Sequence, residues 1–251
     1  MTTQKRLDLT VYAPTLVGDD GRTLAVVRGM ELALPGLRLD WEVGKGGRPI
    51  ELPQREAWLA EAATRGKFPL LCNGDASYPV TISGMRRSAS ASPGGQPQLQ
   101  IHAKLPLDAA IITAAAEILE RVAEDAHAFW GHATPDAAAV DIAYQIAPTL
   151  EGPPSPRRGL PALKLLEHIR SPEIPYHLGW LNYWSAAAAT AIGFPEPARD
   201  AELLTRARRS ASGGWVVQLT DAPLDLDTSA HLDALKRAYE RFPQIGGRDS
   251  P

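Results

Sequence analysis

Alternation of apolar and polar residues marks the strands that the sequence predicts. A period of two is typical of a strand that buries one face, and short apolar runs between turn residues indicate further strands. The predicted strands cover residues 6–12, 37–43, 68–72, 78–84, 98–105 and 213–220. Within QLQIHAKL at 98–105, His102 falls opposite the apolar face. We therefore expect His102 on the more solvated side of a sheet.

Apolar residues at helical spacing predict the helices. The longest runs from about 107 to 130, where the apolar stripe is wide enough to cover a sheet and Glu117 is spaced to pair with Arg121. Further predicted helices cover residues 22–34, 54–65, 135–146, 162–169, 185–192, 198–209 and 228–241. Strands and helices interleaved in this way predict an α+β fold, with a largely antiparallel or mixed sheet covered by several helices.

Two segments rich in small residues and proline interrupt this pattern. RRSASASPGGQP at 86–97 reads as an exposed loop between strands, and EGPPSPRRGLP at 151–161 carries four prolines and two glycines. The second segment either divides the chain into halves at 1–150 and 157–248 or forms a long surface loop. We favour one domain over 1–251, because neither half alone shows a complete sheet.

Composition narrows the classes of partner and compartment. The 251 residues carry a net charge of −3 with no stripe of Lys and Arg, so neither nucleic acid nor a membrane surface is expected as a partner. The single cysteine, Cys72, permits no disulfide within the chain and lies in an apolar run, which predicts a core residue in a reducing compartment. With no signal-like N-terminus and no apolar stretch of about 20 residues, we expect a cytoplasmic protein.

The search for chemistry finds no catalytic signature. His127 and His132 are five residues apart, which does not place two ligands on one helical face, so we predict a polar helix end there. Neither a G-x-S-x-G turn nor a phosphate-binding loop is present. The densest acidic cluster is Asp221, Asp225 and Asp227, for which turn and helix-capping roles are expected and a divalent-metal site is the alternative. We expect no catalytic residue, metal or cofactor.

The densest aromatic segment is YHLGWLNYW at 176–184. Trp180 and Trp184 are four residues apart, which would place them on one face of a helix and predicts core packing. The alternative is a contact surface, because Trp and Tyr give large contact areas at low entropic cost. Asn182 lies between the rings and needs hydrogen-bond partners if it is buried.

The motifs around this segment resemble a known family. In order they are GLP at 159–161, LGWLNYWS at 178–185, GFP at 193–195, WVVQLTDAPLDL at 215–226 and HLDALKRAYERFPQIGGR at 231–248. This order is similar to immunity protein family fifty-two, of bacterial polymorphic-toxin and type VI secretion systems, and to a related group of uncharacterised myxobacterial proteins. The shared residues, which we expect to maintain the fold, are Gly179, Trp180, Asn182, Tyr183, Trp184, Phe194, Pro195, Leu219, Leu224, Leu226, Tyr239, Arg241, Phe242 and Gly247.

The resemblance, which covers about residues 157–248, implies a non-enzymatic cytoplasmic protein that binds and neutralises a cognate toxin, in some pairs a nuclease. Candidate partner-binding residues lie outside the shared set: Arg86, Arg87, Arg157 and Arg158 as anchors, and Asp19, Asp20 and Asp75 against a basic groove. Two alternatives stay open. One is a hydrolase or metal-dependent enzyme that uses the aspartates at 221, 225 and 227, and the other is a regulatory protein that binds an endogenous partner. The oligomeric state is not predicted.

Overall fold

The alternating sequence RLDLTVYAP forms the central strand of the molecule. In the computed structural model, which describes residues 5–18, 20–146 and 157–248, this strand is β1 (Arg6–Pro14). Leu7, Leu9 and Val11 are fully buried on one face, whereas Asp8 and Thr10 point to the other. β1 pairs with one neighbouring strand along its whole length and with another over residues 7–12, so most of its backbone is hydrogen-bonded within the sheet.

Within the described residues, ten strands form one sheet. The other nine are β2 (Trp41–Val43), β3 (Pro49–Glu51), β4 (Leu71–Cys72), β5 (Thr81–Arg87), β6 (Gln98–Pro106), β7 (Trp130–Pro135), β8 (Leu181–Trp184), β9 (Ala207–Arg209) and β10 (Trp215–Gln218). Their order across the sheet is β3-β2-β4-β5-β6-β1-β7-β8-β10-β9, and the pairing is antiparallel throughout. The predicted α+β class with a largely antiparallel sheet is confirmed. Strands from both sides of the proline-rich segment share the sheet, since β7 pairs with β8.

Helices cover both faces of this sheet unequally. They are α1 (Arg22–Ala33), α2 (Arg55–Thr64), α3 (Ala109–Asp125), α4 (Asp136–Ala143), α5 (Ala186–Ala191), α6 (Ala201–Leu204) and α7 (Ser229–Arg241). The apolar stripe of α3 lies against β1, β7 and β8, and α1 packs on α3. On the opposite face, α4 contacts β1 and β7, and α7 places Phe242 against Trp184 of β8. Strands β5 and β6 are only partly covered there, since Met85 is exposed and the His102 side chain is half-buried.

Helix α3 is shorter than the predicted span of 107–130. It ends at Asp125, His127 adopts a left-handed φ of 52°, and Trp130 begins β7. The prediction of a polar helix end at His127 and His132 was therefore wrong for His132, which lies buried in β7. Strand β7 (WGHATP) is buried along its whole length and thus shows no alternation, which explains why its pattern was not recognised.

The aromatic segment is also a strand and not a helix. Leu181–Trp184 pairs with β7 on one side and β10 on the other, so tertiary pairing overrides the helical spacing of the two tryptophans. The predicted helix at 198–209 likewise stops at Leu204, because 207–209 joins the sheet as β9. Of the predicted helix at 162–169, only a single 3₁₀ turn, Leu166–His168, is formed.

Further segments differ from their predicted extent. The strand expected at 37–43 is formed only over Trp41–Val43. The segment 86–97 is not simply an exposed loop: Arg86 and Arg87 end β5, and two 3₁₀ turns follow in which Ser92 and Pro93 are buried. Most of the proline-rich segment at 151–161 lies outside the described residues, and Leu160 near its end is buried. Cys72 is buried, as predicted.

Candidate functional site

Polar side chains follow one row across the less covered face of the sheet. Thr10 of β1 lies opposite His102 of β6 on one side and opposite His132 of β7 on the other. His102 in turn lies opposite Ser83, and His132 lies opposite Asn182. Directly opposite residues in antiparallel strands share a face, so the register alone brings two histidines and three hydrogen-bonding side chains into one line.

A cleft of about 470 Å³ opens between this row and helix α4. Its floor is the polar face of β6, β1 and β7, including Asp8, Thr10, His102, Lys104 and His132. Its wall is the apolar side of α4 and the residues that follow it: Ala139, Val140, Ile142, Ala143 and Ile146. A polar floor opposite an apolar wall, at this volume, is typical of a site that binds a ligand or a side chain.

The charged groups of the floor make few short contacts. Oδ1 of Asp8 lies 3.8 Å from Nε2 of His102 and 3.7 Å from Nζ of Lys104, which is too long for hydrogen bonds. Among the described residues, this buried oxygen has no hydrogen-bond partner. Asp136 begins α4 at the edge of the cleft, where its carboxylate accepts a hydrogen bond of 2.8 Å from the N–H of Ala137. Asp8 thus retains unused capacity to accept hydrogen bonds.

Three histidines at the cleft are held neutral by their surroundings. Burial lowers the pKa of His132 well below its ordinary value and that of His177 to about 4, and it also lowers the pKa of His102. The rings of His132 and His177 lie 4.2 Å apart, and Nδ1 of His132 is 3.2 Å from Oγ1 of Thr134. At neutral pH the charges of the cleft are therefore those of Asp8, Asp136 and Lys104.

Apolar side chains on this face are exposed next to the polar floor. Val140 on the wall is 54% exposed. Met85 of β5 is 56% exposed and lies opposite Gln100, which lines the cleft. Val140 and Met85 therefore add two separate apolar groups to the exposed surface beside the polar floor.

The residues that the sequence resemblance led us to expect as a shared set have structural positions. Trp180, Asn182, Tyr183 and Trp184 are each no more than 2% exposed. Nε1 of Trp180 donates to the carbonyl oxygen of Thr220, and the Trp184 ring packs edge-on against Phe194 and Phe242. The phenol of Tyr183 donates a hydrogen bond of 2.5 Å to Oε1 of Glu124 in α3. These contacts tie β8 to layers on both sides of the sheet.

Two members of this set, Tyr239 and Arg241, lie in α7 and hold the helix in place. Oη of Tyr239 accepts a hydrogen bond of 3.1 Å from the N–H of Leu178 and donates one of 3.0 Å to Gln145. Arg241 forms a two-point ion pair with Asp200, which is fully buried, and its guanidinium stacks on Phe242. The remaining buried members of the set are Gly179, Phe194, Leu219, Leu224, Leu226 and Gly247, and Pro195 is exposed.

Most of the predicted partner-binding residues interact within the chain. Arg158 forms ion pairs with Asp141 and Asp227 and donates to the carbonyl oxygen of Leu226. The remaining contacts are Asp20 with Arg22, Asp75 with Ser77 and Tyr78 in a turn, and Arg87 with Gln100 and the Ala91 carbonyl. Arg86 is exposed at the end of β5. Asp19 and the side chain of Arg157 lie outside the described residues.

The acidic cluster near β10 lies on an exposed turn. Asp221 and Asp227 are 89% and 82% exposed, and Oδ1 of Asp225 accepts a hydrogen bond from the N–H of Asp227. Over residues 5–18, 20–146 and 157–248, no group of three or more His, Cys, Asp and Glu side chains is arranged to hold a metal ion. The same ranges contain no helix with the length and apolarity needed to cross a membrane.

Sequence reasoning did not find the cleft itself. Of its floor residues only His102 was placed on the correct face, and His132 was assigned to a helix end. The signal was nevertheless present in β1 and β6, since Asp8 and Thr10 alternate with apolar residues, as do His102 and Lys104. What the pattern could not supply was β7 and α4, which close the site.

Comparisons with known proteins place the chain in a family. A solved structure of the Pseudomonas aeruginosa T6SS protein PA0821 has a similar fold, with a TM-score of 0.57 at 17% sequence identity over 95% of this chain and 73% of that one. No curated protein matches the sequence. The model of a family described as a domain of unknown function, DUF5953, matches residues 18–250. The chain therefore belongs to the DUF5953 family.

Proposed function

We propose that the chain is a non-enzymatic immunity protein that binds a cognate bacterial toxin in the cytoplasm. The motif order in the C-terminal half supports this, because it resembles immunity proteins of polymorphic-toxin and type VI secretion systems. The fold likeness to a protein whose name places it in the type VI secretion system agrees with a secretion-associated role.

The observation that carries the proposal is the cleft face. Its floor holds Asp8, whose buried Oδ1 has no hydrogen-bond partner among the described residues, and its rim exposes Val140 and Met85. Arg158 and Asp20, by contrast, already form ion pairs within the chain. A protein partner gains most from groups that are rigidly held and not yet bonded, because little is lost in desolvation or ordering. We therefore propose the cleft face, and not the arginine loops, as the main toxin contact.

Catalysis receives less support from the same residues. The hydroxyl of Thr134 lies near His132 as a nucleophile would lie near its base, but Thr134 is 1% and His132 6% exposed. A substrate carbonyl has no access to a hydroxyl at that depth. The aspartates at 221, 225 and 227 point outward from an exposed turn, which does not favour the enzymatic alternative.

The experiment is co-expression with the product of the adjacent reading frame, followed by size-exclusion chromatography. We expect that product alone to arrest the host, and co-expression to restore growth and give a stable complex. Val140→Arg and Met85→Arg place a charge on the rim and should each abolish the complex without changing the melting temperature. Leu32→Arg is the matched control, because Leu32 is 67% exposed on α1 and does not line the cleft.

Two results would overturn the proposal. Rescue of growth with no complex would exclude direct binding as the mechanism. A complex lost in Leu32→Arg but retained in both rim variants would place the contact on α1 and not on the cleft face.

A further inference from the structure

The cleft has an excess of negative charge where its floor meets α4. Asp8 and Asp136 line it together with a single cation, Lys104, and the three histidines are neutral. Asp8 of β1 lies opposite Thr134 of β7, two residues before Asp136, so both carboxylates belong to the same end of the cleft. A cationic group is the complement of this end.

Asp8 also lacks the hydrogen bonds that a buried carboxylate oxygen normally has. Its Oδ1 is buried, and its two ionic neighbours stay at 3.7 and 3.8 Å. Buried polar atoms are nearly always bonded, so the Asp8 carboxylate keeps capacity for a further hydrogen bond. An N–H donor with a positive charge that reaches the exposed part of this carboxylate, whose side chain is 21% exposed, would form the strong, charge-assisted type of bond.

The opposite wall suits an aliphatic chain. Val140, Ala143 and Ile146 present apolar surface across the cleft from Asp8, and the volume of about 470 Å³ is more than one side chain requires. Arginine and lysine combine an apolar stem with a charged head, and they bury the stem along apolar surface while the head reaches a polar partner.

From these observations we propose that the cleft receives a basic side chain, arginine or lysine, of a partner protein, with its head at Asp8 and its stem along α4. This inference rests on the proposed function, since the partner that presents the side chain is the toxin. Asp8 is then the anchor of the interface, and the exposed rim residues surround it and exclude water, as occurs around interface hot spots.

A substitution at Lys104 distinguishes a cationic ligand from an anionic one. The Lys104 side chain is 43% exposed, and its ammonium group is too far from Asp8 for a hydrogen bond, so an incoming cation displaces that group toward solvent at the cost of charge repulsion. Removing that charge with Lys104→Gln should therefore strengthen cation binding by about threefold to tenfold. In a cleft that bound an anion, the same substitution would weaken binding.

The test uses the full chain and small probes, with affinity measured by isothermal titration calorimetry or by amide chemical shifts. Butylguanidinium represents the basic side chain, butylurea is its neutral analogue of the same shape, and pentanoate is an anionic probe. We expect butylguanidinium to bind more tightly than the other two, and Asp8→Asn to weaken it by about tenfold, as loss of one close charge pair implies. Asp75→Asn, at an exposed turn away from the cleft, is the control and should leave affinity unchanged.

Several outcomes would overturn the inference. One is equal binding of butylurea, and another is preferred binding of pentanoate that Lys104→Gln weakens. A third is butylguanidinium binding that survives Asp8→Asn in a protein with normal melting. If Asp8→Asn fails to fold, Lys104→Gln decides, because the Lys104 side chain is partly exposed and a cationic and an anionic ligand predict opposite effects of the substitution.

The failure of this inference is distinguishable from failure of the proposed function. A chain that binds butylguanidinium but forms no toxin complex would overturn the immunity proposal and leave the ligand class of the cleft standing. A toxin complex that persists unchanged in Asp8→Asn, and that butylguanidinium does not compete with, would overturn the inference and leave immunity standing.

Discussion

The side-chain amide of Asn182 bonds to both main-chain groups of Gly179. Nδ2 donates to the carbonyl oxygen at 3.0 Å, and Oδ1 accepts from the N–H at 2.9 Å. Asn182 is 1% exposed, so these bonds form in the interior. A side chain at 179 would not fit, because a Cβ there would lie 2.3 Å from Oγ1 of Thr134. The pair closes the turn that leads the chain into β8.

Asn182→Ala should strongly destabilise the fold. The substitution leaves a buried N–H and a buried carbonyl without partners, at a cost of about 2–4 kcal/mol in the free energy of unfolding. Urea denaturation followed by fluorescence would measure the loss. Gln96→Ala, at an exposed position, is the control and should stay within about 0.5 kcal/mol. An Asn182 variant as stable as the control would contradict the role assigned to the amide.

Trp184→Ala separates a core role of the aromatic segment from a contact role. Trp184 is 1% exposed and packs against Phe194 and Phe242, so we expect a loss of about 3–5 kcal/mol in stability, and a similar loss for Trp180→Ala. Thermal melting and urea titration would measure both. Normal melting together with loss of toxin binding would instead identify the tryptophans as contact residues.

The ion pair of Arg241 with Asp200 predicts a non-additive double mutant. Nε of Arg241 lies 2.6 Å from Oδ1 of Asp200, whose side chain is fully buried. Arg241→Met should cost about 3–5 kcal/mol, because it leaves a buried carboxylate without its cation. Adding Asp200→Asn should recover part of that loss. Arg121→Gln, which breaks the exposed pair with Glu117, should cost less than about 1 kcal/mol. Additive losses at 241 and 200 would contradict the coupling.

His177 predicts a loss of stability in mild acid. Burial lowers its pKa in the folded chain to about 4, whereas the unfolded chain keeps the ordinary value of 6.5. Between these values the unfolded state binds more protons than the folded state. The free energy of unfolding is therefore unaffected by His177 above pH 6.5 and falls by up to about 3 kcal/mol as the pH drops to about 4. Urea titrations from pH 4 to 7 would show a flatter dependence for His177→Gln. Parallel curves for the variant and the wild type would refute the assignment.

The part of the fold that the sequence predicted is the part with clear periodicity. Strands β1 and β6 alternate because one face meets α3 and the other meets solvent or the cleft. Helix α3 was recognised by its apolar stripe, although it ends before Phe129. Strands β7 and β8 were missed because both of their faces are buried, and a strand covered on both faces carries no period-two signal.

The site was less predictable than the fold, for a related reason. Asp8 and Lys104 become neighbours of His132 only through the pairing of β6, β1 and β7, and their positions span more than a hundred residues of sequence. Expected loop positions instead pointed to Arg158 and Asp20, which the folded protein uses in its own ion pairs. The charged residues singled out from the sequence thus form contacts within the chain. The cleft became visible only from the pairing register of the strands.

The place of β1 at the centre of the sheet also constrains how the chain assembles during synthesis. β1 leaves the ribosome before both of its partners, β6 and β7. The backbone hydrogen-bonding groups on its two edges therefore stay unpaired until those strands have been translated. An apolar strand exposed on both edges is prone to mispairing with other chains, and closing such distant contacts is slow. The nascent protein is therefore an expected client of ribosome-associated chaperones until β7 has been translated.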